Sequence, residues 1–341
     1  SLFHIPYFKL IIYSLDTTSK NDTPDDKNIP LNLQRLFGLM QLTPGPCSTT
    51  ELTKSFGWEQ QEIFMQHDAQ EFCRQFLDNL EMKMQGTNLE TAIPSLFRGK
   101  MQTGFRCRNV PYENFKEEDF YDISLDVEAS STLDESFQKI VEADPLIGDN
   151  QYDTGPEFGK QDADMKTEYI LFPKILHLHL RRFKYDPSVG NYVKINKKYS
   201  YPEIIDLSPY MSKIDEDPNN DNHMYYELFG VLVHWGTIIG GHYYAYIRTT
   251  KERKWYEFND AKVTEVSPEI AIEGNFGGPD ENRNITAPTE NRNSNQPPPE
   301  RLYSAYMLIY VRQDSIDKIF EEVKDDRIPE HVVNYIHMKE Q

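Results

Sequence analysis

Apolar residues spaced four apart organise the first part of the chain. From Asp68 to Met84, Phe72, Phe76 and Leu80 recur every fourth residue, with Cys73, Leu77 and Met84 on the adjoining edge of the same face. That spacing predicts an amphipathic helix. Leu33, Leu36, Phe37 and Met40 show it too, after a polar, acidic stretch from Asp16 to Asn28 that reads as a loop entering a helix. Ser48 and Glu51 have the spacing of a capping box, and Leu52 and Phe56 follow as a short apolar face. Beyond Pro94 the period changes. Tyr121, Ile123, Leu125 and Val127 interleave with Asp122, Ser124 and Asp126, as a half-buried strand requires. Further strands are predicted at Tyr169–Phe183, Leu228–Trp235, His242–Arg248, Lys254–Phe258 and Tyr303–Arg312. Helices first and strands later predict an α+β fold.

Gly277 to Glu300 is rich in Pro, Asn and Arg, with Ile285 its one sizeable aliphatic residue, and reads as a surface insertion without fixed structure, about 279–300. Ile316, Ile319, Phe320 and Val323 predict a further amphipathic helix, and the charged remainder to Gln341 a connector. There is no internal repeat.

Composition narrows the class. With 341 residues, 38% hydrophobic and 13% aromatic, the chain holds enough apolar surface for one large multi-lobed domain. A net charge of -19 opposes binding to nucleic acid or anionic membrane and favours a basic protein partner. No apolar run is long enough to span a bilayer, and Ser1–Leu15 lacks signal-peptide character, so a soluble intracellular protein, cytoplasmic or nuclear, is expected. Cys47, Cys73 and Cys107 are odd in number and widely spaced, which predicts reduced thiols, neither disulfides nor a zinc site. The sequons at Asn21 and Asn284 carry no weight in such a protein.

The candidate chemistry lies late in the chain. Gly240-Gly241 precede His242 at the start of the aromatic strand His242-Tyr243-Tyr244-Ala245-Tyr246, which lets another backbone approach the imidazole. Trp255–Asp260 ends in Asn259 and Asp260, two polar side chains able to fix the tautomer of a histidine. The same residues also fit a satisfied sheet histidine and a hairpin turn. An imidazole held by an amide is the base half of a Cys-His-Asn system and needs a thiol. Cys73 lies on or beside the apolar helix face, Cys47 follows a Pro-Gly-Pro turn, and Cys107 ends a strand between two arginines. None follows Gly or Asn at a helix start, where amides would activate it. His177 and His179 share one strand face and, with His234 or His242, would suit a metal-dependent hydrolase, but the flanking Leu176, Leu178 and Leu180 favour sheet packing.

Gln66–Phe72, Leu176–Phe183, Gly240–Tyr246, Trp255–Asp260 and Ala305–Arg312 together resemble, in order, the boxes of the ubiquitin-specific proteases. Leu52–Trp58, Leu96–Met101 and Gly148–Tyr152 resemble the herpesvirus-associated subgroup of that family. The likeness implies a papain-like cysteine protease with fingers, palm and thumb: a helical thumb about 1–95 and antiparallel β-rich fingers and palm about 96–312, forming a single domain 1–312 before the helix and connector at 313–341. It implies a deubiquitinase, a thiol hydrolase of the peptide or isopeptide bond after the last glycine of ubiquitin. By resemblance His242 is the general base, Asn259 the third triad residue and Asp260 a supporting polar residue. The family's cysteine box is missing, and Ser1-Leu2-Phe3 is similar to the helix that follows it, so the nucleophile is expected upstream of Ser1 and the chain alone is expected to be inactive.

Ubiquitin's tail carries arginines and ends in two glycines, which an acidic, narrow channel selects by charge and size. The resemblance assigns Asp68 and Glu71 to those arginines, and Phe183 and Tyr243 to the channel lining. Solvated helix charges, or pairing of Glu71 along its own helix, are the plain alternatives. His234-Trp235-Gly236 and Thr237-Ile238-Ile239 depart from the family pattern before the glycines. Expected partners are ubiquitin and ubiquitinated proteins, with a monomeric catalytic domain, no cofactor and no zinc. A catalytically inactive ubiquitin-binding module is the alternative function.

Overall fold

The structure is a computed structural model that describes residues 1–17, 24–57, 68–212, 224–238, 240–249, 252–280 and 300–339. Most of the expected insertion, both sequons, Gln66-His67, Trp58 and Ile239 lie outside the described residues. The chain forms two compact units, one of residues 1–96, 239–271 and 314–341 and one of residues 97–238 and 272–313.

The first unit is mainly helical. Helix α1, Pro6–Tyr13, starts on a proline that needs no helical partner for its missing N–H, and buries Phe8, Ile11 and Ile12. Helix α2, Ile29–Leu42, is capped by Asn28, whose side chain accepts from the Leu31 amide at 3.1 Å. Buried Gln34 of α2 donates to the carbonyls of Ile12 and Leu15 at 2.8 and 2.9 Å, satisfying groups at the end of α1 and fastening the two helices together. Helix α3 is Thr50–Ser55, and helix α4, Ala69–Met84, buries Phe76, Leu77, Leu80 and Met84. Phe72 stays half-buried and stacks on Phe76 at 5.9 Å.

The capping box at Ser48 and Glu51 does not form. The Ser48 hydroxyl accepts from the Thr50 amide, and Glu51 turns away to accept from the Tyr335 hydroxyl and from Lys339 Nζ. Those partners belong to the helix Glu330–Lys339, where a connector was expected. Val332 and Ile336 of that helix are fully buried, and Arg35 of α2 covers the Tyr335 ring at 4.4 Å. The helix predicted from Ile316 stops at Ile319, although Val323 is also buried. The apolar spacing there reports burial without helix continuation.

A three-stranded antiparallel meander completes this unit: Gly241–Arg248, Trp255–Asn259 and Lys262–Val266. In the second unit Glu113–Phe120, Gly99–Cys107, Ala163–Leu171 and Asp144–Leu146 form an antiparallel sheet in that order. Tyr225–Gly236, Tyr303–Arg312 and Ile175–Leu180 run antiparallel side by side, and Asp122–Leu125 adds in parallel. The single strand expected over Tyr169–Phe183 is interrupted at Phe172–Lys174, where Pro173 has no amide to donate.

Arg182 is completely buried in this unit. Its guanidinium donates to the carbonyls of Ala305, Ile195, Lys197 and Phe276, cross-linking three backbone segments. The overall class is α+β, as the order of periodicities predicts.

Candidate active site

The site is built on the meander of the first unit. Ala245–Arg248 pairs with Trp255–Phe258, and Asn259 pairs with Lys262 across the turn Asp260-Ala261. Asp260 takes φ 50 to close that turn, a region that Asp tolerates better than most residues. Asn259 is therefore the last strand residue before a tight turn, which holds its side chain beside His242 at the start of the neighbouring strand. His242 Nε2 lies 2.7 Å from Asn259 Oδ1. Asp260 thus lies in a hairpin turn, and the asparagine contacts the imidazole.

The orientation of that amide is decided by its other end. Asn259 Nδ2 donates to Glu257 Oε1 at 3.1 Å, and a carboxylate can only accept, so Oδ1 faces the histidine. Oδ1 in turn requires a proton on Nε2, which leaves Nδ1 of the neutral ring with its lone pair free to take one. The second oxygen of Glu257 accepts from the Tyr246 hydroxyl at 3.1 Å. Burial, and then the neighbouring Tyr244 and Glu257, push the Tyr246 hydroxyl well above the ordinary tyrosine range, so it remains a donor.

Around this core the contacts are looser. Asp260 Oδ2 lies 3.9 Å from His242 Nε2 on a side chain that is 82% exposed, so it adds negative charge near the ring without holding it. Tyr244 lies roughly parallel to the His242 ring, centroids 6.2 Å apart, and Tyr243 is half-buried. Phe258 packs against His4 at 4.7 Å, and burial pushes His4 down to about 3, so it is a neutral packing ring. A Cβ on Gly240 would meet nothing within 4 Å among the described residues.

The remaining candidates are placed as follows. Asp68 caps α4, accepting from the amides of Gln70 and Glu71 at 2.8 and 3.2 Å. Glu71 is exposed and accepts from Gln75 one turn on. Phe183 belongs to the second unit, where its ring meets the edges of His234 at 5.1 Å and Tyr306 at 6.1 Å. His177 is buried against Phe97, and His179 contacts Ser124 and Tyr306, so this strand face is packing. Among the described residues no three His, Cys, Asp or Glu side chains gather as a metal cluster, and no helix is long and apolar enough to cross a membrane. Cys107 is buried at its strand end, and Cys47 and Cys73 are half-buried. Among the described residues none of their sulfurs is a hydrogen-bond partner of His242.

A family model, ubiquitin carboxyl-terminal hydrolase, matches residues 1–310. The chain belongs to the ubiquitin carboxyl-terminal hydrolase family. It is 39% identical over 346 residues to ubiquitin carboxyl-terminal hydrolase 15 of Saccharomyces cerevisiae, covering 98% of this chain and 28% of that protein. It is 41% identical to ubiquitin C-terminal hydrolase 12 of Arabidopsis thaliana, over 97% of this chain and 29% of that protein. Against ubiquitin carboxyl-terminal hydrolase 7 of Drosophila melanogaster the identity is 38%, over 99% and 28%. The chain thus spans less than a third of the length of these relatives. A chain of the solved SAGA Ubp8/Sgf11/Sus1/Sgf73 DUB module bound to ubiquitin aldehyde superposes with TM-score 0.70, covering 92% of this chain and 65% of that one. At 21% identity it shows a shared fold.

The residue that reading the sequence misses is Glu257. Its signal is nonetheless present: two positions before Asn259 on one strand, it must share the asparagine's face.

Proposed function

We propose that this chain is the ubiquitin-recognising, base-bearing catalytic part of a thiol deubiquitinase. The observation that carries this reading is the 2.7 Å contact between His242 Nε2 and Asn259 Oδ1, with the amide oriented by Glu257. In this mechanism His242 Nδ1 takes the proton of a cysteine thiol, and the thiolate attacks the carbonyl after ubiquitin's last glycine. The imidazolium then protonates the leaving amine, and water attacks the acyl-enzyme with His242 again as base. Asn259 keeps the ring in the required tautomer, and Asp260 supports the positive ring electrostatically. The nucleophile is none of Cys47, Cys73 and Cys107.

Recognition rests on the family likeness: Asp68 and Glu71 toward the tail arginines, Phe183 and Tyr243 along the tail. Asp68 caps α4 through its Oδ1, and a capping carboxylate still carries its negative charge. Assignment to the herpesvirus-associated subgroup is likewise proposed, on the likeness of Leu96–Met101 and Gly148–Tyr152 alone. The test is turnover of a ubiquitin–amide substrate by the full-length protein. His242→Ala should lower kcat by on the order of 100-fold or more, and unchanged turnover would remove His242 from the mechanism.

A second reading, a ubiquitin-binding module without catalysis, is favoured by one observation: among the described residues the hydrogen-bond partner of the imidazole is Asn259 and not a cysteine sulfur. Binding of ubiquitin by a full-length protein that never turns over the amide substrate would establish it.

A further inference from the structure

We propose that Glu257 is a positioning residue for the reaction, acting by fixing which end of the Asn259 amide faces His242; this rests on the thiol-deubiquitinase reading above. An asparagine in the third position of a triad has a weakness that an aspartate lacks. Its two ends are nearly isosteric but opposite in hydrogen-bonding sense. With Oδ1 toward the imidazole, Nε2 carries the proton and Nδ1 is basic. With Nδ2 toward the imidazole, Nε2 must accept, the proton sits on Nδ1, and the ring cannot take a proton from a thiol on that side.

Glu257 removes the ambiguity. Its Oε1 accepts from Asn259 Nδ2 at 3.1 Å, and the flipped amide would set Oδ1 against that carboxylate instead. The carboxylate is itself held. Glu257 lies in the middle strand of the meander, paired to Tyr246 on one side and Thr264 on the other, and Tyr246 donates its hydroxyl to Oε2 at 3.1 Å. Both oxygens are therefore engaged, one by the group that anchors the side chain and one by the group it orients. Tyr246 is 5% exposed, so the anchoring bond is sheltered from water. Glu257, Asn259, His242 and Tyr246 form a chain of contacts in which each member has a defined donor or acceptor sense, and only the carboxylate imposes the sense on the amide.

The test is kcat and KM for a ubiquitin–amide substrate in the full-length protein, across a cycle of Glu257→Ala and Asn259→Asp, with His242→Ala as reference. An aspartate has two equivalent oxygens and needs no orienting, and Glu257 beside it repels. Glu257→Ala should lower kcat roughly 10-fold with KM unchanged when residue 259 is asparagine. In the Asn259→Asp background the same change should leave kcat unchanged or raise it. A loss of kcat in both backgrounds, or a change confined to KM, would overturn the positioning role, as would full activity of Glu257→Ala. If Glu257→Ala gives no cooperative melt, Glu257→Gln is read instead: its amide can satisfy either orientation of Asn259, so a smaller loss with asparagine and none with aspartate is expected, and equal losses overturn the proposal. Should His242→Ala retain wild-type turnover, the failure lies in the underlying reading and the role of Glu257 falls with it.

Discussion

Replacing Gly38 with alanine sets two effects of opposite sign against each other, and the structure decides between them. Gly38 lies inside α2, where alanine would favour the helix by about 1 kcal/mol. The added Cβ, however, would lie 2.6 Å from Val332 Cγ1 and 3.2 Å from Ile336 Cδ1 of the helix Glu330–Lys339. Carbon atoms rest about 3.5–4.0 Å apart, so Val332 must retreat by roughly 1 Å. A valine in a helix has essentially one χ1 rotamer and cannot turn aside. The whole helix would have to back away, against its tethers from Glu51 to Tyr335 and Lys339 and from Gln34 to His331. Overpacking of this kind costs about 1–3 kcal/mol, so the net effect of Gly38→Ala is a loss on the order of 1 kcal/mol. In a Val332→Ala background the main obstruction is gone and only the flexible tip of Ile336, at 3.2 Å, must give slightly, so the same substitution should stabilise by up to about 1 kcal/mol. Urea unfolding followed by far-UV circular dichroism, with hydrogen exchange of the two helices as a local probe, reads both values. A stabilising Gly38→Ala in the otherwise unchanged chain would show that the last helix is not seated on α2.

Two further outcomes follow from the same structure. Asp68→Asn keeps a good helix cap but removes the charge, so stability should hold while ubiquitin binding weakens roughly 3-fold or more; Asp68→Ala should lose about 1 kcal/mol of stability as well, and equal binding by all three forms would remove Asp68 from recognition. Burial pushes His177 from 6.5 down to about 4, so between those values the unfolded chain binds a proton that the folded chain refuses. Its contribution is complete above about pH 6.5 and is lost as the pH falls toward 4, up to about 3 kcal/mol; His177→Phe should flatten the acid limb of a stability–pH profile, and unchanged slopes would contradict this.

Much of the fold was legible because its signals are local. The α4 face and the alternating strand at Ile123 and Leu125 declare themselves by period, and Tyr303–Arg312 by its run of β-forming residues; the residue types of His242 and Asn259 only suggest a pair, and their roles come from the family likeness. What was hidden depends on tertiary partners. Glu51 has capping-box spacing, yet a tyrosine and a lysine far along the chain compete for its carboxylate and win. The final helix looked like a connector because only Val332 and Ile336 are fully buried in it, too few to stand out in a charged segment. Pro173 broke a strand whose apolar run concealed the break. Glu257 was missed since an exposed-looking acid in a strand gains meaning only when its neighbours' donor and acceptor senses are known. Arg182 gave no sequence signal that four carbonyls would enclose it.

The proposed function requires this chain to recognise ubiquitin and to present an oriented base to a thiol other than its own three. The most direct test is to incubate the chain with ubiquitin bearing a C-terminal thiol-reactive electrophile, measure its intact mass, and titrate it in parallel with unmodified ubiquitin. Saturable binding and no adduct on Cys47, Cys73 or Cys107 are expected. An adduct on any of the three, or no binding at all, would contradict the proposed function.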